Sequence, residues 1–103
     1  MPSLVVLFNL KDDTAAAAYE SWAKTTDVPT VKGLVSIDDF RVYRLTGMMG
    51  SDDASPYQYC EVIDVNDMSK FGEEVASETM KRVAREFQEF ADNPIFIMSE
   101  QLA

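Results

Sequence analysis

The stretch SLVVLFNL, residues 3–10, decides the fold. Successive side chains of an extended strand point to opposite faces, so Leu4, Val6, Phe8 and Leu10 share one face and Val5, Leu7 and Asn9 the other. Asn9 is the one polar side chain on its face. A strand apolar on both sides belongs in the middle of a sheet that is covered on both sides. Lys11-Asp12-Asp13 closes it. Asp12 or Asp13 can cap a following helix, because a carboxylate there accepts orphan backbone N–H groups and complements the helix dipole.

Outward from that strand, Ala15, Ala18, Tyr19 and Trp22 recur at helical spacing and predict one buried helix face. The helix is expected to fade by Thr25-Thr26, because Pro29 removes an N–H and pushes Val28 towards extended geometry. Gly33 closes the connection. Val35 to Thr46 holds a second strand, in which Phe40 and Val42 alternate with Arg41 and Tyr43. Asp38-Asp39 marks a bulge or bend within it. Residues 47–56 (GMMGSDDASP) form a loop that is long for a hairpin, where Met48 and Met49 are either a flexible apolar lid or plain surface. Tyr57 to Val65 is the third strand, with Tyr57, Tyr59, Glu61 and Ile63 on one face. Asn66 or Asp67 caps a second helical region, which Gly72 and Ser77 divide into a short helix and a longer one capped by Ser77. Asn93-Pro94 stops it, and Ile95 to Leu102 is the last strand.

That order predicts a single α+β domain over residues 1–103, a ferredoxin-like βαββαβ fold with an antiparallel four-stranded sheet. The first and third strands lie at the centre and the helices cover one face. The other face is bare and apolar, and a patch of that size signals association. The expected assembly is a homodimer through the sheet face, a dimeric α+β barrel; the alternative is a sheet covered by an unrelated partner.

Composition narrows the function. The net charge of −9 disfavours nucleic acid and anionic membrane as partners, since both demand a basic surface. The imbalance lies in the second half: residues 1–50 sum to −1 and residues 51–103 to −8. With no histidine and one cysteine there is no usual zinc site, no nucleophile–histidine pair and no internal disulfide. The paired aspartates lack calcium-loop spacing, and no glycine-rich loop between strand and helix holds a phosphate. The expectation is a cytoplasmic protein with no metal and no cofactor. That expectation rests on a start, Met1-Pro2-Ser3-Leu4, without a basic n-region or small-residue cleavage site, and on the lack of an apolar run of membrane-spanning length.

The chemistry-bearing residues are few. Asp27, held beside Pro29 at a helix end, is either a local turn residue or a partly desolvated general base with a raised pKa. Tyr19 and Trp22, about one turn apart, either wall a flat ligand or form core. Glu61, in mid-strand, needs a partner if buried. Arg41 on the neighbouring strand, or Arg44 on the other phase, can supply one; otherwise Glu61 faces a ligand or lies open to solvent. Asn9, Tyr43 and Tyr59 are hydrogen-bonding groups for a ligand carbonyl or ordinary sheet residues.

The segment Trp22, then Asp27-Val28-Pro29-Thr30-Val31-Lys32-Gly33-Leu34, then Phe40-Arg41-Val42-Tyr43-Arg44, with the closing Asn93-Pro94 to Leu102, resembles the REDY-like (HapK-type) proteins. That resemblance spans nearly the whole chain and implies a dimeric α+β barrel, alongside EthD-like and antibiotic-biosynthesis monooxygenase-like proteins. It implies a place in bacterial pathways to pyrrole and indole pigments and alkaloids, with cofactor-free steering of unstable intermediates. It puts Trp22, Asp27 and Pro29 beside a pocket and Arg41 and Tyr43 on the adjoining strand. EthD-like relatives often carry a histidine near the position of Asp27; this chain has none, and Asp27 or Glu61 can substitute as base. The resulting expectation is a homodimer binding a small aromatic metabolite and promoting proton transfer, cyclisation or addition. Asp27 and Glu61 are its catalytic residues; Asn9, Tyr19, Trp22, Arg41, Tyr43 and Tyr59 bind ligand. The alternatives are a non-catalytic carrier or sensor and a ferredoxin-like regulatory module.

Overall fold

The computed structural model describes residues 2–103. Strand β1 (Pro2–Leu10) leads through a short 3-10 turn into helix α1 (Ala16–Trp22), a π-helical turn (Ala23–Asp27) and helix α2 (Val28–Lys32). Strands β2 (Ile37–Arg44) and β3 (Tyr59–Val65) follow, then helices α3 (Met68–Glu74) and α4 (Glu78–Phe90) and strand β4 (Ala91–Glu100). The strands form one antiparallel sheet in the order β2-β3-β1-β4, so the doubly apolar strand is central. This is the ferredoxin-like α+β arrangement expected from the element order.

Capping follows the sequence. The Asp12 side chain accepts from the Thr14 N–H, Asp67 from Lys70 and Ser77 from Met80. Val6, Phe8 and Leu10 of β1 are buried beneath the helices with Tyr59, Ile63 and Val65 of β3. Phe8 is the hub. Its ring centroid lies 5.4 Å from Tyr19, 5.5 Å from Tyr59 and 5.0 Å from Phe87, two edge-on contacts and one stack. The opposite face carries Val5, Leu7 and Val62 with Ile95 and Ile97 of β4, which are 41% and 42% exposed. Nothing among the described residues covers that face.

Several boundaries move, each for a physical reason. The first helix does not fade at Thr25-Thr26. The Val28 N–H reaches back five residues to the Ala23 carbonyl, and this wider turn lets Pro29 enter at the start of α2, where its missing N–H costs little. Ala18 is exposed, and the inward face is Tyr19, Ala23 and Asp27. Strand β3 begins at Tyr59 instead of Tyr57. Strand β4 begins at Ala91 instead of Ile95, because a bulge opposite Phe8 absorbs Asn93-Pro94: pairing jumps from Leu7↔Ile95 to Asn9↔Asp92, with Asn93 at φ 45°. The bend at Asp38-Asp39 is a register shift between Ile37 and Asp39 in an otherwise continuous β2. In the long loop Met48 and Met49 are exposed.

The capping of α4 gives a direct test of this architecture. Ser77→Ala removes the acceptor for the Met80 N–H and is expected to cost about 1 kcal/mol of stability, read as a lowered urea midpoint with an unchanged slope.

Candidate functional site

Two hollows lie between the helices and the inner face of the sheet. The first is a cavity of about 150 Å3 whose lining includes Leu4, Val31, Phe40, Ile63, Phe71 and Phe87, with two acids among them, Asp27 and Glu61. The second is a cleft of about 430 Å3 lined by Tyr19, Glu20, Ala23, Lys24, Val28, Phe40, Val42, Arg44 and Tyr59. Phe40 borders both.

The cavity acids owe their position to local geometry. Glu61 lies on the inward phase of β3 between Tyr59 and Ile63, so alternation alone sends it beneath the helices. Asp27 is the last residue of the π-helical turn and one of the inward residues of its helix. Both are almost fully buried, Asp27 at 5% exposure and Glu61 at 4%. Among the described residues no lysine or arginine lies within 4.0 Å of either. The Tyr19 hydroxyl donates to Glu61 Oε2 at 3.2 Å.

Burial without a counter-cation sets the electrostatics. Loss of hydration pushes Asp27 up to about 7. Glu61 rises to about 8 through burial and the nearby Asp27, with the Tyr19 hydrogen bond pulling modestly the other way. Tyr19 stays firmly protonated, because it is buried and faces both carboxyls. The pair therefore retains protons near neutral pH, and can accept or donate one within reach of an apolar guest.

The cleft has a different polar element. Arg44 donates from Nε to Glu20 Oε2 at 3.0 Å and from Nη2 to Oε1, while the Tyr59 hydroxyl donates to Oε2 at 2.7 Å. These contacts hold the Glu20 carboxyl down to about 2. Tyr59 is pushed up to about 12 by burial and by its bond to Glu20.

The expected site residues separate into three groups. Asp27, Glu61 and Tyr19 come together, and Tyr59 lines the adjoining cleft. Arg41 and Tyr43 do not join them. Arg41 pairs with Val62 in the register and Tyr43 with Cys60, so both project from the outer face, away from Glu61. The Arg41–Glu61 pair does not form. Arg41 instead bonds Asp39 at 2.5 Å and Asp64 at 3.1 Å, and donates to the Tyr43 hydroxyl at 3.2 Å. Arg44, the other proposed partner for Glu61, is bound to Glu20.

Trp22 lines neither hollow. It packs against Phe87 and Phe90 of α4 and donates from Nε1 to Glu86 at 3.1 Å, so it joins helix to helix. Asn9 ties the segment before β3 to β1, accepting from the Gln58 N–H at 2.9 Å and donating to the Pro56 carbonyl at 3.2 Å. Glu20, Lys24 and Arg44 were not anticipated at the cleft. The signal for Arg44 was present: it shares the phase of Phe40 and Val42, the inward side of β2.

The family profile of the REDY-like protein HapK matches residues 2–102. The chain belongs to that family. HapK from Hahella chejuensis is 26% identical, with a TM-score of 0.79 over 99% of this chain and 93% of its own. An Arabidopsis thaliana protein shares the fold at 14% identity, with a TM-score of 0.80 over 100% of this chain and 97% of its own. A dimeric ferredoxin-like protein of unknown function from Jannaschia shares it at 12% identity, with a TM-score of 0.74 over 97% of this chain and 98% of its own. No curated protein matches the chain. The HapK-family fold thus recurs in ferredoxin-like proteins described as dimers. No helix among the described residues is long and apolar enough to cross a membrane.

The buried acids give this member of the family a pH signature. Both bind protons more tightly folded than unfolded, so their contribution to stability is full below about pH 4 and is lost as pH rises through 7 to 8. For Asp27 alone the loss is on the order of 4 kcal/mol by pH 8. Asp27→Asn keeps the shape and removes the titration, so its melting temperature should exceed that of the parent at pH 8 by several degrees. At pH 4 the advantage should vanish. Parallel melting curves of the two proteins across this range would refute the burial-driven shift.

Proposed function

We propose that the chain is a small-molecule-binding protein of secondary metabolism. In this reading it takes up a flat, apolar-aromatic intermediate of pyrrole or indole type between α1 and the sheet. It steers that intermediate by a cofactor-free proton transfer, cyclisation or addition. One observation carries the reading: two carboxyls, almost fully buried, line one apolar cavity without a counter-cation. Burying uncompensated acids costs stability that an apolar pair would not. Carboxyls poised near neutrality are what general acid–base chemistry needs. Asp27 is the base, Glu61 holds or returns the proton, and Tyr19 orients Glu61 through its hydroxyl. Tyr19 and Tyr59 supply the aromatic wall on the cleft side. The protein works in the cytoplasm as a homodimer in which a second copy covers the apolar outer face.

A carrier or sensor is the second reading, and one feature favours it. The larger hollow, the one with room for a ring system, is lined by Tyr19 and Tyr59 but not by Asp27 or Glu61. Binding there needs no ionisable group at the ligand.

Mass-spectrometric product analysis separates the two readings. Purified protein without added cofactor is mixed with unstable pyrrolic and indolic imines or keto acids, alongside Asp27→Asn and Glu61→Gln. A catalyst gives a protein-dependent product that falls at least about a hundredfold in Asp27→Asn. Saturable binding with an unchanged product profile selects the carrier; absence of both binding and product overturns the two together. For the assembly, sedimentation should give the mass of a dimer, and Ile97→Lys, which places a charge on the outer face, should yield folded monomer.

A further inference from the structure

The cleft mouth carries more positive than negative charge, in a protein that is otherwise strongly acidic. Three ionised side chains line it: Glu20, Lys24 and Arg44. Glu20 is matched by Arg44 and further held by Tyr59, so its charge is already answered. Lys24, one helical turn beyond Glu20, forms no ion pair among the described residues. The Arg44 side chain remains 64% exposed. Its Nε and Nη2 face Glu20, whereas Nη1 makes no hydrogen bond among the described residues. Guanidinium carries five N–H donors in a planar fork, so Arg44 keeps donors in hand after binding one carboxylate.

The rest of the cleft lining is Ala23, Val28, Phe40 and Val42, with the rings of Tyr19 and Tyr59. An apolar slot with cationic groups at its rim suits a guest that is flat and apolar at one end and anionic at the other. The two acids of the adjoining cavity have raised proton affinities, Asp27 at about 7 and Glu61 at about 8, so at neutral pH they set only part of their charge against such a guest.

We propose that the cleft selects a carboxylated ligand, a flat aromatic carboxylic acid whose ring lies between Val28 and the tyrosines and whose carboxylate bridges Lys24 and Arg44. The proposal rests on the reading of this cleft as the ligand site and names the class of ligand that the site prefers. Lys24 and Arg44 are specificity residues in it. Glu20 and Tyr59 are positioning residues, which hold the Arg44 fork at the rim.

Isothermal titration of the intact protein with naphthoate and naphthamide tests this, because the two probes share a ring and differ in charge. Naphthoate is expected to bind roughly tenfold more tightly, with the ratio shrinking as salt is added. Lys24→Gln leaves the Glu20–Arg44–Tyr59 contacts in place and should narrow the ratio; Arg44→Gln should narrow it too. Equal affinities for the two probes overturn the anion preference while leaving an aromatic-binding cleft intact. A ratio that survives in both variants overturns the assignment to Lys24 and Arg44. Failure of both probes to bind overturns this inference and the ligand-site reading together.

Discussion

The two apolar faces of β1 are the constraint on which the rest of the molecule depends. Val6, Phe8 and Leu10 demand cover on one side, and helices α1 and α4 provide it by closing Tyr19 and Phe87 around the Phe8 ring. Val5 and Leu7 demand cover on the other, and the described residues supply none. A sheet of that kind leaves one apolar face open to water, and proteins that share the fold are described as dimers. The outer face is not uniformly apolar. Asp39, Arg41, Asp64 and Tyr43 form a polar network beside Val62, so the apolar area is concentrated over β1 and β4.

The interior contains one feature that packing alone does not call for. A π-helical turn where the helix meets Pro29 places Asp27 among apolar side chains, in the cavity that also receives Glu61 from β3. Burial raises the proton affinity of both acids, Asp27 raises that of Glu61 further, and the Tyr19 hydroxyl bonds Glu61 alone. Holding ionisable groups there lowers stability as pH rises through neutrality. The cleft is built in the opposite sense. Its ions lie at the rim, are solvated and are mutually compensated, apart from Lys24.

Most of the fold was legible along the chain because its signals are local. Alternation in β1, β2 and β3, caps at Asp12, Asp67 and Ser77, and the bend at Asp38-Asp39 each depend on neighbours within a few residues. The structure departs from those signals where one local rule overrides another. Pro29 was expected to end a helix, but the wider turn before it removed the conflict. Asn93-Pro94 was expected to precede the last strand, but a bulge carried the strand through it.

The site was less legible, and the reason is register. Asp27, Glu61, Tyr19 and Tyr59 could be named from residue type and phase, but which of them meet depends on how strands slide past one another. Arg41 seemed a natural partner for Glu61 by sequence, yet the β2–β3 register sets it against Val62, and a side chain on one face cannot reach the other. Trp22 had the spacing of a pocket wall, but the placement of α4 made it a helix–helix contact. By itself the sequence determined the element order, the central place of β1 and the surplus of acid, since these follow from composition and from periodicity within single segments. Only the tertiary structure decided that Asp27 and Glu61 share a cavity and that Glu20, Lys24 and Arg44 ring the cleft. Those meetings join residues far apart in the chain, whose distances are set by packing and strand register.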